Sequence, residues 1–377
     1  MSANAPPRIF FVAGESSGDI HGANLINAMR QRDPAIQCEG LGGTNMAAAG
    51  MTLHYDLAGD AIMGFVEVVK SLAHIRRLYN QAVARLQEWQ PHCLVLIDYP
   101  GFNVRLAREA HRLGIPIVYY ISPQVWAWKK GRIKVLAQIC QKMLVVFPFE
   151  KSLYDDAGLD CAYVGHPLID HIQAFEPKGI YPKDGIVGLL PGSREQEIRR
   201  ILPVMIETAA ALKQDHPDMR FVAPCVDRKR ADQIAAMAQN FPVETPVNKT
   251  YEVLSAARFA LVASGTATVE ATLFGTPFII LYKVNPLTYA IAQRLVDIDH
   301  IGMVNILAGS RVVPEFVQSE AASPNVIPIA RDLIADTPCR QAMLDNLARV
   351  RRLLGGPGAS QRAAEQILEV AGSTIDD

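Results

Sequence analysis

Two α/β domains, each built on a parallel β-sheet, are the architecture this sequence predicts. Strand-length apolar runs alternate with helical patterns through both halves of the chain. Such alternation means parallel strands joined by crossover helices. A Pro/Gly-rich stretch at residues 176–185 separates the two series, so the domains are expected to join near residue 180. The 377 residues suffice for two or three domains with ample core. The cleft between two such domains is the expected site.

Composition excludes several classes. Hydrophobic residues make up 50% and charged residues 20%, as in a soluble globular protein. A net charge of −1 gives no footing for nucleic acid. The six cysteines are scattered, with no Cys-x-x-Cys and no zinc-ligand spacing to His, so a reducing cytosol and no metal are expected. Residues 1–8 are polar and Pro-rich and lead straight into a strand, which predicts no signal peptide. No apolar run is long enough to span a membrane.

Arg8–Ala13 is the first strand. It opens into Gly14-Glu15-Ser16-Ser17-Gly18-Asp19-Ile20-His21-Gly22, ahead of a helix with Leu25, Ile26 and Met29 at helical spacing. First βα loops often carry function. Glu15, Asp19 and His21 suit sugar hydroxyls, or else are solvated charges of a capped turn. Residues 62–90 are helical in period, but the front holds more apolar residues than one face can take, among them Met63, Phe65, Val66 and Val69, with Leu72 just beyond. Lys70, His74, Arg76 and Arg77 lie among and after them. That mixture fits a membrane-surface contact or an acyl-chain mouth, or a core helix covered on two sides.

Cys93–Ile97 is a buried strand ending in Asp98-Tyr99-Pro100-Gly101-Phe102-Asn103. A carboxylate at the carboxyl end of a strand is where open α/β sheets place working residues. Residues 117–121 form the next strand, leading to Ser122-Pro123-Gln124-Val125-Trp126-Ala127-Trp128 with Lys129, Lys130 and Arg132. These aromatics and cations either line an acceptor cleft or pack one domain. Strands at 143–147 and 162–164 complete this half.

In the second half, Ile186–Leu190 is a strand, Pro191-Gly192 ends it, and a helix follows. Ser193 is the expected N-cap, with Gln196 completing a capping box. Unpaired helix-start N–H groups attract anions, and Arg194 adds a fixed charge, so a phosphate or diphosphate is the natural ligand. The plain alternative is an ordinary capped turn with a solvated Arg. Pro203 predicts a kink or break in the helix. Residues 259–263 repeat the plan, followed by Ser264-Gly265-Thr266-Ala267-Thr268-Val269-Glu270-Ala271. Hydroxyls and a Gly suit phosphate oxygens, and Glu270 suits a ribose diol. N-capping and a favourable first-turn charge would explain the same residues. Neither turn matches a Walker A loop or the dinucleotide fingerprint. Asp297-Ile298-Asp299 has a metal-transferase form but is weak evidence in an acid-rich chain. Residues 342–354 and 360–371 are closing helices.

Together these motifs resemble the lipid-A-disaccharide synthase family of inverting glycosyltransferases of the GT-B type. The resemblance runs through Ala13-Gly14-Glu15, Ser17-Gly18-Asp19, Ile97-Asp98, Phe102-Asn103, Val125-Trp126-Ala127-Trp128, Gly165-His166-Pro167, Leu190-Pro191-Gly192-Ser193-Arg194, Ser264-Gly265-Thr266-Ala267-Thr268, Asn305 and Pro314-Glu315. Gly101 departs from it, since the family usually has a second Asp there. So does 301–304, where a Leu-Pro pair is usual.

The resemblance implies two Rossmann-like domains facing a cleft: 1–180 for the acceptor, 181–340 for the UDP-sugar, and helices at 341–377 packing back on an N-terminal domain. It implies transfer of 2,3-diacylglucosamine from UDP to the 6-hydroxyl of 2,3-diacylglucosamine 1-phosphate, without a cofactor or required metal. Members are peripheral on the inner face of the inner membrane and are described as dimers exchanging C-terminal segments. On this reading Asp98 and Glu15 are the catalytic carboxylates. Gly192, Ser193, Arg194, Ser264, Gly265, Thr266, Thr268 and Glu270 hold the donor. Ser17, Asp19, Asn103, Trp126 and Asn305 meet the acceptor, and Met63, Phe65, Val66, Val69 and Leu72 meet acyl chains or membrane. The alternatives are another UDP-GlcNAc enzyme on the same scaffold (a peptidoglycan-precursor transferase or an epimerase) or a non-catalytic nucleotide-sugar sensor, which would not need Asp98.

Overall fold

In the computed structural model, the described residues are 6–59, 68–125, 131–239, 241–286, 289–290, 293 and 299–372, with residues 68–72 described by backbone alone. The chain divides into two compact units: Met1–Pro167 with Gly356–Asp377, and Leu168–Gly355.

The first unit runs β1 (Arg8–Ala13), α1 (Ser16–Arg32), β2 (Gln37–Gly42), α2 (Thr44–Ala48), β3 (Thr52–Asp56), α3 (Val68–Trp89), β4 (Cys93–Ile97), α4 (Pro100–Arg112), β5 (Ile117–Tyr120), α5 (Gly131–Ile139), β6 (Lys142–Val145), α6 (Pro148–Asp155) and β7 (Cys161–Tyr163). Its strands form one sheet in the order β3-β2-β1-β4-β5-β6-β7, and every pairing is parallel. β4 and, after Arg8, β1 are apolar throughout because helices cover both faces. Alternate side chains feed opposite cores. Ile9, Phe11 and Ala13 join Val95 and Ile97 on one face. Phe10 and Val12 join Leu94 and Leu96 on the other.

The second unit runs α7 (Leu168–Gln173), β8 (Ile186–Leu190), α8 (Glu195–Asp215), β9 (Arg220–Val222), α9 (Arg228–Ala238), β10 (Val243–Glu244), α10 (Thr250–Ala256), β11 (Ala257–Ala263), α11 (Thr266–Phe274), β12 (Phe278–Tyr282), α12 (Met303–Ala308), β13 (Glu315–Val317), α13 (Ser323–Ile334) and α14 (Pro338–Leu353). Its parallel sheet has the order β10-β9-β8-β11-β12-β13. Helix α15 (Ala359–Gly372) then returns to the first unit, where it packs on α1. Ala363, Ala364 and Ile367 enter the same core as Leu25, Ile26 and Met29. Arg362 Nε donates to the Val164 carbonyl at 2.8 Å, and Lys142 Nζ to Gln366 Oε1 at 2.8 Å.

Three details differ from the sequence reading. The second unit begins at Leu168 rather than near 180. Helix α14 belongs to the second unit, packed on α11 and α13, so α15 alone of the two closing helices lies with the first. Helix α8 continues through Pro203 without a break. Pro203 and Arg199 are exposed, so the carbonyl that loses its partner is on the water side. Among the described residues, no helix is long and apolar enough to cross a membrane.

Candidate active site

Both sheets reverse their strand order at one point, and in open α/β sheets that point is where ligands bind. In the first unit it lies between β1 and β4, whose register pairs Ala13 with Ile97. The next residues are therefore Gly14-Glu15 on one strand and Asp98 on its neighbour. Asp98 is half-buried, and burial first, then the nearby Glu15 carboxylate, pushes its pKa up to about 6. A carboxylate poised there can accept a hydroxyl proton at neutral pH.

The backbone that presents it is strained. Asp98 (φ 45°) and Tyr99 (φ 47°) are consecutive non-glycine residues in the left-handed region, at about 1–2 kcal/mol each. The Asp98 carbonyl accepts from Tyr119 Oη at 2.6 Å and from Asn103 Nδ2 at 2.7 Å. The Tyr99 ring lies against Gly14, where an added Cβ would stand 2.3 Å from it.

In the second unit the reversal lies between β8 and β11. After β8, Gly192 turns at φ 105°, and an added Cβ would stand 2.4 Å from the Glu197 carboxylate. Arg194 is the N-cap of α8. Its amide donates to Glu197 Oε2 at 3.3 Å and its guanidinium to Glu197 Oε1 at 3.0 Å. The Arg194 side chain is 70% exposed, so its charge faces water. From α9, Arg230 Nε donates to the Ser193 carbonyl at 3.0 Å and Gln233 Nε2 to the Glu195 carbonyl at 3.1 Å. These bonds tie the turn to α9 through its carbonyls and do not use its N–H groups.

After β11, Gly265 and Thr266 are exposed and Ser264 is half-buried, its hydroxyl donating to the Ile301 carbonyl at 3.3 Å. Glu270, one turn into α11, has its pKa raised to about 7 by burial. Tyr251 packs beside it in a cluster with Phe175 and Phe274, at 5.5 and 5.4 Å between ring centroids. Among the described residues, no group of three or more His, Cys, Asp or Glu is placed to hold a metal ion.

Against known proteins, the model of the family described as lipid-A-disaccharide synthetase matches residues 9–355. The lipid-A-disaccharide synthase of Geobacter sulfurreducens is 38% identical over 384 residues, covering 100% of both chains. That of Syntrophus aciditrophicus is 41% identical over 371 residues, covering 96% of this chain and 97% of its own. The chain belongs to the lipid-A-disaccharide synthase family. It is thus a glycosyltransferase of lipid A biosynthesis. Among solved structures, the fold is similar to that of UDP-GlcNAc 2-epimerase from Neisseria meningitidis bound to UDP-GlcNAc, with TM-score 0.67, 14% identity and coverage of 96% and 100%. It is also similar to the glycotransferase of kitacinnamycin, with TM-score 0.63, 16% identity and coverage of 97% and 99%.

Within this family member, the residues expected to contact substrate divide sharply by burial. Glu15 and Asp98 stand together, Ser17 is exposed, and Gly192, Ser193, Arg194, Gly265 and Thr266 are exposed at the second reversal point. Four others are committed elsewhere. Asp19 accepts from the Asn45 amide at 3.0 Å, Asn45 Nδ2 at 2.7 Å and the Met46 amide at 2.9 Å, so it ties α1 to the start of α2. Thr268 is fully buried, its hydroxyl donating back to the Gly265 carbonyl at 2.7 Å. Asn103 is fully buried beneath the Asp98 turn. Asn305 is fully buried, giving Nδ2 to Glu315 Oε1 and the Val313 carbonyl and accepting the Val312 and Val313 amides. Glu315 in turn takes the Ile301 and Gly302 amides. This hub folds the loop that meets Ser264. Asn305→Ala should therefore destabilise the second unit by roughly 3 kcal/mol, through the buried groups it leaves unpaired. The denaturant midpoint measures this, and an unchanged midpoint rules the hub out. Trp126, Met63, Phe65 and Val66, and the side chains of Val69 and Leu72, lie outside the described residues.

The N-cap of α8 is Arg194, one residue later than expected, and the side chain that accepts the N-cap amide is Glu197 rather than Gln196. The three-residue spacing would have found Glu197 had the helix start been placed one residue on. Arg230 carries no local signal, lying 37 residues from the carbonyl it meets.

Proposed function

We propose that the chain transfers 2,3-diacylglucosamine from its UDP carrier to the 6-hydroxyl of 2,3-diacylglucosamine 1-phosphate, with inversion, giving the β-1,6 disaccharide 1-phosphate and UDP. The observation that carries this reading is the carboxylate pair Glu15–Asp98 at the first reversal point, with Asp98 held near neutral pKa. Asp98 takes the proton of the acceptor hydroxyl as the glycosidic bond forms, and Glu15 keeps the pair's environment negative. The helix start at Gly192–Arg194 and the exposed turn at Gly265–Thr266 receive the diphosphate, and their donors stabilise the charge that grows on the leaving UDP. Glu270 meets the ribose. The UDP-GlcNAc bound by the Neisseria epimerase of similar fold supports a nucleotide-sugar donor. Incubating the protein with the two acylated sugars, one radiolabelled, tests the reading: a labelled disaccharide 1-phosphate is expected, and UDP release without disaccharide sinks it.

The enzyme works at the inner face of the inner membrane, where both substrates are anchored. The apolar front at 62–72 and the exposed Arg76 and Arg77 of α3 support a surface contact. Replacing Val66, Val69 and Leu72 together by Ser should release the protein from anionic vesicles in a flotation assay and raise KM for acylated sugars, with the circular dichroism spectrum unchanged. A spectrum that collapses would make this a core helix instead. Helix α15 packs on α1 of its own chain. A dimer exchanging C-terminal segments keeps that interface and changes only which chain supplies it.

A further inference from the structure

We propose that Tyr119 and Asn103 are positioning residues of the transfer reaction, a buried brace that holds the Asp98 peptide so that its carboxylate stands clear of the sheet beside Glu15. The proposal rests on the reading of Asp98 as the general base.

Both side chains converge on the Asp98 carbonyl, and Asn103 also bonds to Tyr119. Tyr119, in β5, donates its hydroxyl at 2.6 Å. Asn103, in α4, donates Nδ2 at 2.7 Å and also reaches the Ile97 carbonyl at 3.3 Å. Both side chains are fully buried, so neither can touch substrate. Asn103 Oδ1 is buried with no partner among the described residues, which marks the amide as present for its donors.

What the brace holds is a conformation that the local sequence resists. Asp98 and Tyr99 both lie at positive φ, while the glycine nearby, Gly101, sits in α4 with nothing within 4 Å of an added Cβ. A turn that only had to reverse the chain would place glycine at the strained positions. Here they carry an acid and an aromatic ring. Strain of this kind persists only where the surroundings over-determine it. The hydroxyl from β5 and the amide from α4 do so by converging from two elements on one carbonyl. The groups facing the Asp98 side chain are the Glu15 carboxylate from the turn after β1, the backbone amide of Tyr99, which donates to it, and Tyr119 from β5.

Tyr119→Phe removes one hydroxyl and keeps the ring, and Asn103→Ala removes the second donor. With the full-length enzyme, each should lower kcat roughly 10–100-fold, as expected for a reacting group displaced by about 1 Å. The acceptor KM should change little, and UDP affinity should stay at the wild-type value. The acid limb of the kcat profile should move to lower pH, because a carboxylate no longer held in place turns toward water. Thermal transitions and circular dichroism give the folded fraction by which kcat is normalised. Tyr119→Phe carries the test alone if the alanine variant does not fold. Wild-type kcat and an unmoved acid limb in Tyr119→Phe, with Asp98→Asn still defective, would overturn the brace and leave the base standing. Near-normal turnover in Asp98→Asn overturns both.

Discussion

Turnover in Asp98→Asn is expected to fall by roughly 10²–10⁴ while UDP affinity stays near wild type. Asparagine keeps the shape and the backbone carbonyl that Tyr119 and Asn103 hold, so the loss isolates the proton acceptor. The pH dependence sharpens the test. Burial and Glu15 raise the Asp98 pKa to about 6, so the carboxylate form, and with it the rate, grows as pH rises through that value. Protonation below it switches the base off, and in Asp98→Asn the limb disappears. The same raised pKa has a sign for folding. The protonated form is favoured in the native state, so this group's stabilising contribution is full at acid pH and is lost as pH rises through about 6. Glu15 is the rival. Glu15→Gln should weaken acceptor binding more than turnover and shift the acid limb downward by removing a repelling charge. Near-normal turnover in Asp98→Asn with collapse in Glu15→Gln would exchange the two roles.

Arg194→Ala is expected to cost roughly 2–4 kcal/mol of transition-state stabilisation, read as a fall in kcat/KM and a weaker Kd for UDP. Folding should hardly change. The side chain is 70% exposed and its ion pair with Glu197 is a surface pair, of the kind worth about 0–1 kcal/mol. The helix start survives too, because the capping bond to Glu197 comes from the residue 194 backbone amide. A stable variant with a weak grip on UDP is thus the predicted signature. Unchanged UDP affinity together with an unchanged rate would remove Arg194 from the site.

The layout of both units was legible from apolar runs alone, because each buried parallel strand is an uninterrupted hydrophobic segment with a turn after it. Glu15, Asp98, Arg194 and Thr266 could be located for the same reason: they follow those strands directly. What could not be read was which polar residues face inward. Asp19, Asn103, Thr268 and Asn305 have the chemistry of ligand contacts, yet each is spent on backbone groups brought close by the fold. Their partners include Met46, Asp98, Gly265 and Val313, at separations from 3 to 27 residues. No local pattern distinguishes a side chain bound to a distant amide from one offered to a sugar. The boundary near Leu168 was missed because the Pro/Gly-rich stretch at 176–185 lies inside the second unit, where a composition break does not coincide with a packing break. Helix α14 was misassigned because amphipathic periodicity says that a face is covered, not by which unit.

Helix α15 sets an order of completion during synthesis. The first unit's sheet leaves the ribosome early, but the face of α1 that carries Leu25, Ile26 and Met29 is covered in part by residues encoded after the entire second unit. The second unit is one continuous stretch, Leu168–Gly355, all of it made before α15. The earlier-made unit is therefore the later one to finish. It waits on the nascent chain with an apolar surface open to chaperones, and to self-association, until residues 359–372 arrive.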